Sequence, residues 1–146
     1  MKRYNTTSAE ETKGLARQFC ATIDGGQCIC LYGDLGSGKT TFAQGLLESL
    51  GAEGPYTSPT FVIAKKYDLP TENSEGKSIL RVYHIDAYRI NADAMVELGW
   101  QDMIEDDRGV VIVEWPEQIA SVLPAHAQTI DFKWVDENKR KICYNF

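Results

Sequence analysis

The fold of this chain is decided by eight consecutive residues, Gly33-Asp34-Leu35-Gly36-Ser37-Gly38-Lys39-Thr40. They fit the pattern G-x-x-x-x-G-K-[ST] of a phosphate-binding loop. Glycines let successive backbone N–H groups approach a polyphosphate, and the following helix directs its positive end at the same anion. Lys39 can reach the β- and γ-phosphates, and the Thr40 hydroxyl can ligate Mg²⁺. The alternative is a glycine-rich turn that binds nothing.

The segments on either side of the loop agree with a phosphate-binding interpretation. Residues Gln27 to Tyr32 form a short apolar run, which is typical of a strand buried on both faces of an α/β sheet. From Thr41 to Leu50 apolar residues recur at helical spacing, and Gly51 follows as a stop signal. The order strand, loop, helix is the context that a phosphate loop requires.

The rest of the chain continues an alternation of helices and strands. Ser8 and Glu11 form a capping box before an amphipathic segment. The further predicted elements are a helix over Ala9–Ile23, strands over Phe61–Asp68 and Ile79–Asp86 joined by a long hairpin over Leu69–Ser78, a helix over Ala92–Leu98, a helical turn over Gln101–Asp106, a strand over Gly109–Trp115, a helix over Pro116–Leu123 and a C-terminal hairpin over Ile130–Phe146. We therefore predict one domain over residues 1–146: an α/β, three-layer fold of the P-loop NTPase type, with a mainly parallel central sheet and antiparallel hairpin additions.

Composition narrows the class of protein further. A formal net charge of −6 argues against a uniformly basic nucleic-acid binder, so no DNA binding is expected, while local contact with RNA stays open. No apolar run approaches the ~18 residues of a membrane span, and the N-terminus does not resemble a signal peptide. The four cysteines lack zinc-ligand spacing and are expected to be small buried residues in a reducing cytoplasm.

Two acidic residues are candidates for the chemistry beside the loop. Glu114 ends the apolar run that begins at Val110, in the manner of a Walker B strand, but with Glu where Asp is usual. The alternative for Glu114 is an ordinary carboxylate at the end of a strand. Asp86 lies in the dense segment Tyr83–Arg89 and can either bind Mg²⁺ or orient the attacking water. From spacing alone, Asp86 is as well explained by a functional role as by a structural one, whereas a structural role is favoured for His84.

Four further features of the sequence have two possible interpretations each. Ser58-Pro59-Thr60 fits a switch that senses the γ-phosphate as well as it fits a turn at the entry to a strand. Trp115 can flank the nucleotide or a partner, or pack in the core. The basic runs Lys65-Lys66 and Lys139-Arg140-Lys141 are expected on solvated strand faces, with a contact to RNA or protein as the alternative.

Five segments in this order resemble a known family. They are the loop itself through Thr41, Ser58–Phe61, Tyr83–Arg89, Glu97-Leu98-Gly99 and Glu114-Trp115-Pro116-Glu117. Together they resemble the TsaE (YjeE) family of bacterial ATPases. The resemblance covers the chain from about Ser8 to Pro124, and the part after Pro124 carries no motif of the family.

The resemblance implies a function that composition does not. Members of this family hydrolyse ATP in support of the threonylcarbamoyladenosine modification of tRNA, together with TsaB and TsaD, so that contact with tRNA would be indirect or through the complex. By resemblance, Thr40 and Glu114 would hold Mg²⁺, Asp86 would act near the γ-phosphate, and Lys39 would be both phosphate-binding and catalytic. The nucleotide would contact the residues Thr7, Ser8, Gly36, Ser37, Gly38, Lys39, Thr40 and Thr41, of which Thr7 and Ser8 would lie near the adenine.

Two other functions remain alternatives to an accessory ATPase. One is a small-molecule kinase built on the same loop, and the other is a nucleotide-gated binding module in which hydrolysis is incidental. No segment reads as a lid with clustered arginines, and no arginine finger in cis is apparent, with Arg81, Arg89 and Arg108 as the nearby candidates. We therefore expect slow turnover without partner proteins.

Overall fold

A single mixed sheet organises the computed structural model of the chain, which describes residues 1–56, 63–70 and 78–144. Its strands are β1 (Lys2–Thr6), β2 (Cys28–Tyr32), β3 (Ala64–Asp68), β4 (Arg81–Asp86), β5 (Gly109–Glu114), β6 (Gln128–Trp134) and β7 (Arg140–Tyr144). The order across the sheet is β1-β7-β6-β2-β5-β4-β3. The central strands β6, β2, β5 and β4 are parallel, whereas β3, β7 and β1 run antiparallel to their neighbours. The predicted parallel core with antiparallel additions is confirmed.

Helices cover both faces of this sheet. They are α1 (Ala9–Cys20), α2 (Lys39–Ser49), α3 (Ala92–Glu97), α4 (Trp100–Glu105) and a 3₁₀ helix (Pro116–Val122). On one face Phe19 of α1 and Phe42 of α2 pack with Ile29 of β2. On the other face Trp100 of α4 packs in a cluster with Cys30 of β2. Because neighbouring residues of β2 point to opposite faces, the strand is buried on both sides, and the predicted three layers are present.

Local signals set most of the helix ends. The Ser8 hydroxyl caps α1 by accepting from the Glu11 N–H at 3.1 Å, and the Asn91 side chain caps α3 in the same way. The helix α1 ends three residues earlier than predicted, at Cys20. Past Cys20 the backbone N–H groups bond to carbonyls three residues back, so the chain tightens into turns before reaching Gly25.

The strand β1 was not predicted, and its composition explains why. Of its five residues only Thr6 is buried and Tyr4 half-buried, so the apolar alternation is too weak to detect. The strand forms because β7 offers it an edge, with Tyr4 opposite Ile142 in antiparallel register. The rings of Tyr4 and Tyr144 stack with centroids 5.5 Å apart. Long-range pairing, rather than local propensity, makes this segment a strand.

A cluster at the amino end of β4 joins that strand to the connection before β5. The Asp106 carboxylate accepts from Arg81 Nε at 2.6 Å, from Arg81 Nη2 at 2.9 Å and from the Tyr83 hydroxyl at 2.8 Å. The hydrogen bonds from Arg81 hold the pKa of Asp106 well below its ordinary value. Arg81 and Arg108 thus lie near the amino ends of β4 and β5, whereas the phosphate loop follows the carboxyl end of β2.

Several predicted features fall wholly or partly outside the described residues. They are the switch candidate Ser58-Pro59-Thr60, the start of the strand predicted from Phe61, most of the hairpin Leu69–Ser78, and Phe146. Of the described helices, none combines the length and apolar character that crossing a membrane would need.

Candidate functional site

The loop Gly33–Thr40 connects β2 to α2, as its sequence predicts. Gly38 caps the start of α2 with φ of 106°, a backbone conformation that side chains disfavour. A Cβ atom at Gly33 would come within 2.6 Å of the Phe132 carbonyl oxygen, so that position has no room for a side chain. Glycine is therefore required twice for the loop to pass close to β6 and to begin the helix.

Lys39 is held inside the loop. Its side chain is buried, and its ammonium group donates to the Gly33 carbonyl oxygen and lies 3.4 Å from the centroid of the Trp115 ring. Burial lowers the pKa of Lys39, while the negative charges of Glu114 and other nearby acidic residues oppose that shift. The amine is thus a partly desolvated cation at the base of the loop, and such a cation interacts strongly with an anion.

The residue Thr40 meets the predicted Walker B carboxylate directly. Its hydroxyl donates to Glu114 Oε1 at 2.7 Å, which joins α2 to the end of β5. The other carboxylate oxygen, Oε2, accepts from His84 Nε2 of β4 at 2.6 Å. Glu114 is only 3% exposed. Because Thr40 donates its proton to Glu114, the lone pairs of its oxygen remain available to a cation.

Asp86 lies beside this pair at the end of the neighbouring strand. In the parallel register of β4 and β5 it is the partner of Glu114. Its side chain is buried, and one carboxylate oxygen accepts from the Tyr88 N–H at 3.0 Å. That bond fixes the turn after β4. The two acidic candidates therefore lie side by side at the carboxyl edge of the sheet, where ligands bind in open α/β folds.

A cavity of about 410 Å³ opens above the loop. The predicted residues Ser8, Gly36, Ser37, Gly38, Lys39, Thr40, Thr41, Asp86 and Glu114 line it. Thr7 does not, and its backbone N–H donates to Glu11 Oε2 at 2.6 Å. The start of α1 thus reaches the cavity through Ser8, Ala9 and Thr12.

The turn between β6 and β7 forms a wall of the cavity that sequence reasoning did not assign. Glu137, Asn138 and Arg140 line it. Arg140 was expected on a solvated strand face, but its Nε donates to the Gly36 carbonyl oxygen of the loop at 3.0 Å. Its Nη1 donates to the carbonyl oxygens of Asp136 and Lys139. These residues carry no motif, so only the pairing of β6 with β7 reveals their position.

Trp115 also lines the cavity, in a backbone conformation that is unusual for a large residue. Its φ of 58° is the only positive value among the described residues other than glycine. Its ring centroid lies 4.9 Å from that of Tyr88 and faces the Lys39 amine. Trp115 is therefore part of the cavity wall and not only core packing. A strained backbone of this kind at the end of a strand is common at functional sites.

The residues present fit a nucleotide with Mg²⁺. The Ser37 hydroxyl oxygen is buried in the loop with no hydrogen-bond partner among the described residues, as expected of a group placed to meet a ligand oxygen. Thr40 and Glu114 supply the oxygen donors that Mg²⁺ prefers. No group of three or more His, Cys, Asp or Glu that could hold a metal occurs in the described ranges.

Comparison with known proteins shows the family to which the chain belongs. The sequence profile of "Threonylcarbamoyl adenosine biosynthesis protein TsaE" matches residues 6–142. The chain belongs to the TsaE family. The predicted family is therefore confirmed, and the match extends past Pro124 to include β6 and the first part of β7.

Members of this family from different bacteria are similar to this chain over most of its length. The Bacillus subtilis protein, named "tRNA threonylcarbamoyladenosine biosynthesis protein TsaE", is 35% identical over 97% of this chain and 84% of its own length. The Aquifex aeolicus protein of the same name is 33% identical over 97% of this chain and 94% of its own length. The crystal structure of Bacillus subtilis YdiB superimposes with a TM-score of 0.79 at 31% identity, covering 98% of this chain and 83% of that one. The chain thus shares the fold of that structure over nearly all of its own length.

Proposed function

We propose that this chain is a Mg²⁺-dependent ATPase that supports the threonylcarbamoyladenosine modification of bacterial tRNA, as a cytoplasmic accessory to TsaB and TsaD. The single observation that carries the ATPase part is the contact between Thr40 and Glu114 at 2.7 Å, in the same cavity as Lys39 and Asp86. The link to tRNA modification comes from family membership and from the names of the relatives.

Residues from the loop and α2, from the end of β5 and from the end of β4 contribute to hydrolysis. The backbone N–H groups of Gly36 to Thr40 and the Lys39 amine bind the β- and γ-phosphates. Bound through Thr40 and Glu114, Mg²⁺ would neutralise the charge that develops on the phosphate oxygens. Asp86 accepts a hydrogen bond from the attacking water and orients it in line with the bond that breaks. Water then adds to the γ-phosphorus as the bond to the β-phosphate breaks, which gives ADP and phosphate.

The nucleoside occupies the part of the cavity away from Asp86. Ser8 at the start of α1 and Asn138 in the turn between β6 and β7 also line the cavity and are candidates for contact with the nucleoside. Hydroxyl and amide groups of this kind suit hydrogen bonds to a ribose and a base. Membership of the TsaE family makes ATP the expected nucleotide, and its triphosphate would lie along the loop.

The arginine content of the cavity supports slow turnover by the isolated chain. Among the described residues, Arg140 is the only arginine that lines the cavity, and its Nε and Nη1 are bonded to main-chain carbonyls. An arginine that contacts the γ-phosphate contributes about 10³–10⁵ to turnover in related phosphoryl-transfer enzymes. Partner proteins are therefore expected to raise the rate.

The decisive experiment reconstitutes tRNA modification from purified TsaB, TsaD and the threonylcarbamoyl donor, with and without this chain. Modified nucleoside and released phosphate are measured in parallel. We expect both to depend on this chain and both to fall with Lys39→Ala. Modification at full rate without the chain would refute the proposal, as would hydrolysis by the isolated chain at the rate of an ordinary kinase.

Two variants of that assay test the alternative functions. With γ-labelled ATP, label on an acceptor rather than in free phosphate would indicate a kinase. With Glu114→Ala, which removes the carboxylate that contacts Thr40, hydrolysis and modification are expected to fall together. If that variant still bound nucleotide and partners and supported modification at full rate, a nucleotide-gated binding module would be the correct function.

A further inference from the structure

The residue His84 occupies a position for which packing alone does not account. It lies on β4, two residues before Asp86, and its side chain is 1% exposed. Side chains two apart on a strand share a face, so His84 points to the same side of the sheet as Asp86. Glu114 is the register partner of Asp86 on β5, and its side chain contacts His84.

The contact between His84 and Glu114 leaves the carboxylate with one donor on each oxygen. His84 Nε2–H donates to Oε2 at 2.6 Å, and the Thr40 hydroxyl donates to Oε1 at 2.7 Å. Rotation of the carboxylate would break both bonds. At 3% exposure Glu114 has little access to water that could replace either donor. Two short bonds to a desolvated carboxylate therefore fix its plane.

The second ring nitrogen of His84 indicates why histidine, rather than an apolar residue, occupies this position. Nδ1 is buried and has no hydrogen-bond partner among the described residues. A buried polar atom without a partner is unfavourable, and an apolar side chain of similar size would avoid that loss. The Nε2 donor is the one polar function of the ring that the described structure uses. Histidine at this position is thus explained by its bond to Glu114 rather than by packing.

We propose that His84 is a positioning residue that holds the Glu114 carboxylate in the orientation needed for Mg²⁺ at Thr40. The inference rests on the proposed function, because it assigns Glu114 and Thr40 to the cation. His84 is not among the residues that line the cavity, so it would act through Glu114 rather than by touching nucleotide or cation. Its contribution reaches the cation through Glu114, as outer hydrogen-bond partners of metal ligands commonly do.

The coupling between Mg²⁺ and nucleotide measures this role without turnover. The affinity of the full chain for a non-hydrolysable ATP analogue is determined by calorimetry with EDTA and with saturating Mg²⁺, and the ratio of the two affinities is the coupling. For His84→Leu we expect the coupling to fall about tenfold or more, as is typical when the hydrogen-bond partner of a metal ligand is lost. The affinity in EDTA should be unchanged. His84→Gln, whose amide nitrogen reaches about as far as Nε2, is expected to retain the coupling.

A second comparison covers the case in which His84→Leu does not fold. His84→Asn carries the same amide as His84→Gln, but on a side chain too short to reach Glu114. Loss of coupling in His84→Asn and its retention in His84→Gln would support the proposal. Equal coupling in wild type and all folded variants would overturn it, and so would a parallel loss of affinity in EDTA and in Mg²⁺ together with lowered thermal stability. If the wild type itself showed no binding or no effect of Mg²⁺, the proposed function would fail instead.

Discussion

At the scale of single residues, neighbouring carboxylates of this chain have different tasks because their surroundings differ. Glu114 is buried and held by Thr40 and His84, whereas Asp86 is held on one oxygen by the backbone after β4 and faces the cavity. Asp106, at the other end of β4, is bound by Arg81 and Tyr83. The first two shape the candidate site, and Asp106 stabilises the fold.

Replacing Asp86 by Asn is expected to stop hydrolysis without releasing nucleotide. The amide keeps the shape of the side chain and its bond to Tyr88 but is a weaker hydrogen-bond acceptor for water, so we expect turnover to fall by about 10²-fold or more. Phosphate release and analogue affinity are measured on the same preparation. Asp131→Asn, an exposed site on β6, serves as the control. A large loss of folding or of affinity would make Asp86 a structural residue.

Replacing Asp106 by Asn tests the pH dependence of stability. The lowered pKa of Asp106 means that its charged form stabilises the fold at pH values above its ordinary pKa of 3.8, and that this contribution is lost as the pH falls towards the folded-state value. We expect the free energy of unfolding to drop by about 1–3 kcal/mol at pH 7, with the difference from wild type shrinking in acid. Urea unfolding from pH 7 down to about pH 2 measures this difference in the free energy of unfolding.

The exposed neighbour Asp107 supplies the matched control for that measurement. Asp107→Asn removes the same charge one residue away and is expected to change stability by less than about 0.5 kcal/mol. A pH-independent difference between Asp106→Asn and wild type would contradict the assignment of the lowered pKa.

At the scale of elements, two contacts place the phosphate loop. The helices α1 and α2 approach closely at Gly45, which lies against Ala16 and Lys13 of α1. Arg140, the first residue of β7, contacts the loop directly by donating to the Gly36 carbonyl oxygen. The loop is therefore fixed by the packing of the two helices nearest to it in the sequence and by Arg140, which lies 104 residues beyond Gly36.

The close approach of α1 and α2 predicts opposite effects for the same substitution at two helix glycines. A Cβ at Gly45 would lie 2.8 Å from Ala16 Cβ and 3.0 Å from Lys13 Cα, so Gly45→Ala is expected to lower the free energy of unfolding by about 1–3 kcal/mol. At Gly14 of α1 a Cβ would meet nothing within 4 Å. Gly14→Ala should raise stability by about 0.5–1 kcal/mol through helix propensity. Urea denaturation distinguishes the two, and a loss of stability in both would contradict the packing.

The hydrogen bond from Arg140 to the loop is expected to affect nucleotide binding. Arg140→Ala removes the bond to the Gly36 carbonyl, so the loop must be ordered by the ligand, and affinity should fall several-fold to about tenfold. Lys141→Ala makes the same change of charge at the next, exposed residue. Calorimetry with the ATP analogue compares them. Equal losses in both variants would mean that the effect is one of net charge only.

At the scale of the whole molecule, the loop, β4 and β5 meet at one edge of the sheet because β2, β5 and β4 are parallel and adjacent. A ligand that binds across this edge contacts residues from the start of α1 to β7 and so links most of the chain. Ligand binding should therefore stabilise the fold as a unit.

Nucleotide is expected to raise the thermal stability of the whole chain in a way that depends on Lys39. At a free concentration of 100 times the dissociation constant, a ligand that binds only the folded state stabilises it by about 2.7 kcal/mol. Differential scanning calorimetry with Mg²⁺ and the ATP analogue should show this shift for wild type and a much smaller one for Lys39→Ala. A shift of equal size in both would refute the placement of the phosphates on Lys39.

The sequence by itself determined the strand–loop–helix unit and the buried central strands, because these depend on residues close together in the chain. It also indicated the family, through five motif segments that occur in a fixed order along the chain. It also indicated Glu114 and Asp86, since both end strands at the edge where ligands bind. Only the tertiary structure decided that Thr40 meets Glu114, 74 residues away, that Arg140 holds Gly36, 104 residues away, and that His84 completes the carboxylate's bonds. Such contacts depend on which strands become neighbours, and strand order is set by the burial of the whole core, which no local pattern encodes.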